Sequence, residues 1–246
     1  MAQERQPGSE ALIALGRAVL TQVDFRRARF GRFDLDGCTF IACDFRGLRL
    51  DARYQPFFGT RPRSVFEHCH FDGADLRSIS PEGTRFVRCS FEDAKLDGWM
   101  PVRAEFVDCR FAGKVAHVTF TGRPTGPGAT RIEPPRTKNE FRGNDFREAQ
   151  LIDTVFVLGI DLSQQRLPTG DEYIRLDKFL RRLELARAEV LAWDAGDMRT
   201  AGLAMVQQLA QRWQDQRDVI ALRVTPGAIP SRVQNRVWDL LESARL

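Results

Sequence analysis

The sequence of 246 residues is long enough for one sizeable domain or two small ones. Its 43% hydrophobic and 28% charged residues are typical of a folded globular protein and exclude wholesale disorder. The net charge of +4 comes from basic and acidic residues that are spread almost evenly along the chain, which gives no support to a nucleic-acid binder. No run approaches the roughly 18 apolar residues of a membrane span, and the N-terminal segment lacks the pattern of a signal peptide, so we expect a cytoplasmic protein.

The first predicted element is a short helix over residues 9–20. From residue 23 a different pattern begins, with Phe or Leu at every fifth position. The first run reads VDFRR, ARFGR, FDLDG, CTFIA, CDFRG, LRLDA, and the rhythm resumes at residue 64 and ends near residue 158. The residue two before the central one is usually Ala, Cys, Ser, Thr or Val. Neither a helix nor an ordinary strand has a period of five.

This pattern resembles the pentapeptide-repeat family, whose members coil into a right-handed quadrilateral β-helix with four pentapeptides in each coil. The resemblance implies a second period of twenty, which the sequence shows at Phe66, Phe86 and Phe106. It predicts a mainly β fold with about six coils over residues 23–162, a capping helix in 1–22 and a helical region in 163–246. One side should carry a ladder of stacked Phe rings: Phe25, Phe45, Phe66, Phe86, Phe106 and Phe141.

The positions of the cysteines and histidines fit packing and surface roles better than metal-binding or catalytic roles. All five cysteines stand two residues before a central Phe, where a small buried hydrophobe is expected: Cys38, Cys43, Cys69, Cys89 and Cys109. A linear ladder of thiols does not converge on a metal ion. His68, His70 and His117 fall at outward positions, and no motif of a hydrolase, kinase or nucleotide-binding enzyme is present. We therefore predict no enzyme activity, no catalytic or metal site and no cofactor.

Two breaks interrupt the rhythm and are the predicted sites of partner binding, because recognition residues tend to lie on loops that a rigid scaffold holds. The first, 53–63, is either a bulged side whose aromatic residues pack onto the coil or an exposed contact patch. The second, 124–138, is an insertion between two complete coils, rich in Pro and Gly, and forms either a mobile excursion or a partner-binding arm. The candidate partner-binding residues are Arg53, Tyr54, Phe57, Phe58, Arg61, Arg63, Arg131 and Arg136.

Beyond the last repeat the apolar residues follow helical spacings. We expect helices over 171–195 and 197–221 and a third that begins at Ser231. This tail caps the β-helix, mediates a homodimer, or does both.

The favoured function is a non-enzymatic protein-interaction scaffold for a protein partner whose identity the sequence does not give. The family resemblance adds an alternative, because some members bind DNA gyrase or related topoisomerases and protect them by imitating duplex DNA. That role requires an acidic face, and the sequence offers only a thin strip, mixed with basic residues: Asp34, Asp36, Asp75 and Asp97. Direct binding of nucleic acid through the arginines is a second alternative, which the even charge distribution disfavours.

Overall fold

The computed structural model describes residues 12–28, 32–50, 57–58, 62–81 and 83–246. Up to residue 157 the regular elements are short strands. They are β1 (Leu12–Gly16), β2 (Val19–Thr21), β3 (Arg32–Asp36), β4 (Thr39–Ile41), β5 (Val65–Glu67), β6 (Arg85–Val87), β7 (Ser90–Glu92), β8 (Glu105–Val107), β9 (Arg110–Ala116), β10 (Thr119–Thr121), β11 (Phe141–Arg142), β12 (Asp145–Ile152) and β13 (Val155–Val157). The tail contains β14 (Tyr173–Leu176), α1 (Phe179–Leu191), α2 (Asp197–Arg212), β15 (Val219–Leu222) and α3 (Ser231–Ser243).

Six strands from successive turns stack in one parallel sheet, in the order β11, β8, β6, β5, β4, β2. Their pairing places one central residue above the next, and we call this set the first column: Leu20, Phe40, Phe66, Phe86, Phe106 and Phe141. Parallel stacking of short strands from successive turns is the architecture of a β-helix, in which each turn buries its core only against its neighbours.

A second column of aromatic rings runs beside the first. Its members are Phe25, Phe45, Phe71, Phe91, Phe111 and Phe146. Successive ring centroids are 4.6 to 5.2 Å apart, with ring planes within 7° of parallel. The centroid spacing follows the separation of about 4.8 Å between neighbouring strands, and such ring pairs add about 1 kcal/mol each beyond area burial.

The predicted Phe ladder was wrong at its first two members. Phe25 and Phe45 belong to the second column, and the first column continues from Phe66 to Phe40 instead. Phe40 pairs with Phe66, 26 positions later, whereas Phe66 pairs with Phe86 after 20. The first break therefore adds six residues to a single turn. A five-residue period shows that each run is regular but not how many positions a break inserts, so the phase across the break could not be predicted.

The cysteines also form a column. Cys43, Cys69, Cys89 and Cys109 are buried free thiols in successive turns. Each Sγ donates to a backbone carbonyl of the preceding turn, such as that of Phe40 for Cys69 at 3.5 Å. At the next level Asn144 takes the same position and donates from Nδ2 to the carbonyl of Phe106 at 2.9 Å. From Cys43 to Asn144 this inward position is thus occupied by a side chain that donates a hydrogen bond to the preceding turn.

The predicted N-terminal helix was wrong over the part that the structure describes, because residues 12–21 contain the strands β1 and β2. β1 pairs in parallel with β3, and β2 pairs with β4. Leu15, Leu20 and Phe25 maintain the five-residue period, so the β-helix begins before residue 23. Residues 1–11 of the predicted cap lie outside the described residues.

The second break is an insertion of 15 residues into an otherwise regular turn, since Phe106 pairs with Phe141, 35 positions later. It contains a short 3-10 helix (Ala129–Arg131) and packs back onto the β-helix. Ile132 is buried, and the backbone N–H of Arg63 donates to the carbonyl of Glu133 at 3.2 Å. Of the two expected forms, a free excursion does not fit this packed loop.

The tail is a mixed α/β unit. β14 and β15 pair antiparallel, so the helix predicted from residue 171 begins only at Phe179, and the one predicted to end at residue 221 ends at Arg212. Alternating burial in β14 and the β-branched pair Val219 and Ile220 in β15 account for these strands. The third helix begins at Ser231 as expected.

The tail packs against the last turns of the β-helix. The core of the β-helix continues through Ile160, Leu162 and Leu167, beyond the predicted boundary at residue 162. Gln216 of the tail is buried, accepts from the N–H of Gly159 at 3.1 Å and donates to the carbonyl of Ile160 at 2.7 Å. No described helix is long and apolar enough to cross a membrane.

Candidate protein-interaction surfaces

The aromatic pair of the first break is part of the core. Phe57 and Phe58 are fully buried, and Phe58 lies 5.4 Å from Phe66 and 5.3 Å from Phe86, ring centroid to centroid. They occupy interior space that the inserted residues of the long turn make available. Of the two forms expected for the first break, the bulged side whose aromatic residues pack onto the coil fits Phe57 and Phe58, and their assignment as partner-binding candidates was wrong. Arg53, Tyr54 and Arg61 lie outside the described residues.

Two of the candidate arginines hold the second break to the β-helix. The Glu105 carboxylate, only 5% exposed, accepts from Arg63 and from Arg85 at 3.2 Å, and Arg136 Nε lies 3.5 Å away. Arg136 also donates to the carbonyl of Arg103. Burial, with Arg63 and Arg85 nearby, lowers the pKa of Arg136. Arg63 and Arg136 therefore bind the loop to the β-helix rather than presenting charge to a partner.

Arg131 differs from these two arginines. It stands at the end of the 3-10 helix with an exposed side chain. Among the described candidates from the breaks, it keeps the exposure that partner binding requires.

Several outward carboxylates of the β-helix are paired with the arginine two positions later. Four Asp–Arg pairs and one Glu–Arg pair have N···O distances of 2.6 or 2.7 Å: Asp24 with Arg26, Asp44 with Arg46, Asp75 with Arg77, Asp145 with Arg147, and Glu140 with Arg142. Both partners flank one inward residue and so point to the same face. Hydrogen bonds from Arg26 lower the pKa of Asp24 to about 2, and the pKa values of the other three Asp carboxyls are lowered for the same reason.

The predicted acidic strip does not form one face. Asp34 and Asp36 flank Leu35, which pairs with Leu15. Asp75 instead forms isolated β-bridges with residues 49 and 95. Asp75 is paired with Arg77, and the carboxylate of Asp97 lies 2.8 Å from Nδ1 of His117. Asp34 and Asp36 therefore lie on a different side from Asp75. The carboxylates of Asp75 and Asp97 each contact a neighbouring side chain, Arg77 and His117.

Histidine positions agree with a surface role. All three imidazoles are about half exposed, and His70 Nδ1 lies 2.9 Å from the Ser90 hydroxyl. In the part of the chain that the structure describes, no group of three or more His, Cys, Asp or Glu side chains could hold a metal ion.

An apolar surface lies instead on the tail, between α1 and α2. We call it the tail groove, and it is lined by Leu180, Leu183, Leu203, Val206 and Ala210, with Glu184, Arg187 and Gln207 at its rim. Leu180 is 40% exposed and Leu191 is 47% exposed, whereas Phe179, Leu183 and Val190 of α1 are buried.

The sequence contained a signal for this surface. Residues 180, 184, 187 and 191 recur at the spacing of one helix face, separate from the stripe that forms the core. The helical spacing alone does not separate Leu180 and Leu191 from the buried residues of α1, because apolar residues on both sides of a helix cannot be assigned to core or surface without the tertiary contacts.

The parallel stacking of short strands around an aromatic core defines the class as a β-helical repeat protein. A family model described as pentapeptide repeats (8 copies) matches residues 16–52. Residues 16–52 are accordingly similar to the pentapeptide-repeat family.

No curated protein matches the chain. Solved structures similar to it include full-length QnrB1, a plasmid-mediated fluoroquinolone resistance protein, at 17% identity over 65% of this chain and 92% of that chain, with a TM-score of 0.23. A trypsin-treated variant of QnrB1 aligns at 16% identity over 61% of this chain and 79% of that chain, with a TM-score of 0.30.

Proposed function

We propose that this protein is a non-enzymatic protein-interaction scaffold in which the β-helix is a rigid support and the tail carries the docking surface. The observation that carries the proposal is the tail groove, with Leu180 and Leu191 exposed along one face of α1. Exposed apolar residues that line a groove mark interaction sites more often than scattered surface residues do.

The surface of the β-helix supports the same division of roles. Five of its outward carboxylates are held at hydrogen-bond distance by the arginine two positions later, which reduces the charge that these positions offer a partner. We further propose that the support is a four-sided coil of about six turns and that it and the tail are two structural units in a cytoplasmic protein. The 20-residue spacing of Phe66, Phe86 and Phe106 supports four pentapeptides in each turn.

The tail groove fits an apolar helix face of another protein molecule. The first candidate for this partner is a second copy of the same chain. Glu184 and Arg187 lie one turn apart at the rim. If two α1 helices pair antiparallel about a two-fold axis, each Glu184 faces the Arg187 of the other copy. Glu184 now pairs with Arg181 at 2.8 Å, but both side chains are exposed, and such pairs contribute little.

The test compares Leu180→Glu with Met100→Glu in the full-length protein. Both residues are exposed, so neither change should empty the core, and Met100 lies on the β-helix. Sedimentation velocity would measure self-association, and quantitative affinity capture would measure other partners. Because burying a leucine contributes about 1.5–3 kcal/mol, we expect Leu180→Glu to weaken association about ten- to a hundredfold.

The matched control sets the condition for rejection. Met100→Glu should associate as the wild type does. If Leu180→Glu left both self-association and recovered partners unchanged, or if Met100→Glu reduced them equally, the tail groove would not be the docking surface.

Binding and protection of DNA gyrase by DNA mimicry is the alternative function. One observation favours it, because Asp72 and Glu92 follow Phe71 and Phe91 in successive turns and have no arginine two positions later, although Arg110 lies 4.0 Å from Glu92. The paired carboxylates elsewhere oppose it. Direct nucleic-acid binding is a further alternative, and it requires arginines that are free of the carboxylates described above; its affinity would fall steeply with salt.

A further inference from the structure

A cleft of about 470 Å³ lies where the tail packs against the flank of the β-helix. The turn between β12 and β13 forms one wall, and α2, β15, residues 225–229 and α3 form the others. Its apolar lining is large and partly aromatic, including Leu151, Met205, Leu209, Trp213, Ile220 and Trp238. The cleft therefore has the volume and the walls of a small-molecule site, and it lies at a junction between two units, where such sites occur preferentially.

Polar side chains also line the cleft beside the apolar ones, among them Tyr173, Gln234, Arg212 and Asp153. The Tyr173 hydroxyl accepts from the backbone N–H of Leu151 at 2.9 Å, which leaves its own hydrogen available to donate. The side-chain amide of Gln234, in contrast, already forms hydrogen bonds with the backbone of Thr225 and Ile229. Arg212 of α2 and Asp153 of the β-helix form an ion pair of 2.5 Å beside the cleft, and both are about 40% exposed.

We propose that this cleft binds a flat, largely apolar small molecule that carries a hydrogen-bond acceptor. The aromatic and aliphatic lining contacts its faces, and the Tyr173 hydroxyl donates to the acceptor. Asp153 already pairs with the Arg212 guanidinium at this edge of the cleft, so the Tyr173 hydroxyl is the group that selects the acceptor. The cleft and the tail groove are separate sites, because residues 205, 208, 209, 212 and 213 of the α2 segment line the cleft and residues 203, 206, 207 and 210 line the groove.

The first test locates binding with anilinonaphthalene sulfonate, an aromatic anion whose fluorescence rises in apolar sites. The pair of variants is Gln208→Trp and Gln211→Trp in the full-length chain. Both glutamines are exposed on α2, but only Gln208 lines the cleft. We expect saturable binding by the wild type and by Gln211→Trp, with affinity at least about tenfold weaker in Gln208→Trp because the indole fills the opening.

Three results would overturn the site. They are the absence of saturable probe binding to the folded wild type, equal binding by Gln208→Trp, and an equal loss in Gln211→Trp.

The second test concerns the ligand class. Naphthoate carries an acceptor and methylnaphthalene does not, and Tyr173→Phe removes only the hydroxyl. Tyr173→Phe should lower the affinity for naphthoate about two- to tenfold more than the affinity for methylnaphthalene, as expected for one lost hydrogen bond. A general loosening of the tail would lower both affinities equally. Equal effects on both probes would therefore contradict the role of the hydroxyl.

Discussion

Phe86 shows how single residues stabilise this fold. Its ring lies between Phe66 and Phe106 of its own column, with centroids 5.5 and 5.1 Å away, and edge-on to Phe71 and Phe91 of the second column. It is fully buried. One side chain thus contributes to the packing of three successive turns.

Phe86→Ala should therefore reduce the free energy of unfolding by about 3–5 kcal/mol, the usual cost of emptying a packed aromatic site. Chemical denaturation followed by circular dichroism measures it. Met100→Ala, at an exposed position, is the control and should change stability by no more than about 0.5 kcal/mol. Equal midpoints for the two variants would show that Phe86 does not pack in the column.

The Asp24 and Arg26 pair predicts a pH dependence. The pKa of Asp24 is lowered from 3.8 to about 2 in the folded chain. The pair therefore adds stability above the unfolded value, and this contribution is lost as the pH falls toward about 2. We expect the stability advantage of the wild type over Asp24→Asn to shrink across that interval and to be smaller at high salt, because the pair is exposed. An advantage that stayed constant with pH would be inconsistent with the lowered pKa.

At the scale of elements, the second break is attached to the β-helix at several points, and Arg136 is the side chain of the loop that makes the largest set of polar contacts. The Arg136 side chain reaches the carbonyls of Gly83 and Arg103 and the carboxylate of Glu105. Arg131, five positions earlier in the same loop, is exposed.

Arg136→Gln should release the loop from the β-helix, whereas Arg131→Gln should not. Hydrogen–deuterium exchange of the backbone amides over residues 124–138 measures the difference, and we expect exchange about tenfold faster or more in Arg136→Gln. If the two variants exchanged alike, Arg136 would not anchor the loop.

Much of the β-helix could be predicted from the sequence, because a residue that recurs at every fifth position specifies which side chains point inward. The alignment of the turns before and after the first break could not be predicted, because the turn from Phe40 to Phe66 contains six extra residues. Phe57 and Phe58 of this turn are buried in the core although they do not belong to the repeat. Helix and strand were confused at β2 and β14, where short apolar runs fit either structure and tertiary pairing decides.

The candidate sites were less predictable than the fold. Arg63 and Arg136 looked like surface residues in the sequence, but Glu105, far away in the chain, buries both against the β-helix. The tail groove depends on how α1 and α2 pack, which no local pattern specifies.

At the scale of the whole molecule, we propose that the β-helix is a support and the tail is the recognition surface. A DNA mimic needs a continuous negative face, because it must replace a duplex that carries one charge for about every 1.7 Å of its axis. Here the outward carboxylates of Asp24, Asp44, Asp75 and Asp145 are each paired with an arginine of the same turn.

Supercoiling by DNA gyrase, with and without a gyrase poison and at increasing concentrations of the full-length protein, tests this division of roles most directly. The account predicts that the protein neither inhibits supercoiling nor protects the enzyme from the poison. Protection that rises with protein concentration would contradict it, because the surface of the β-helix would then be recognised in place of DNA.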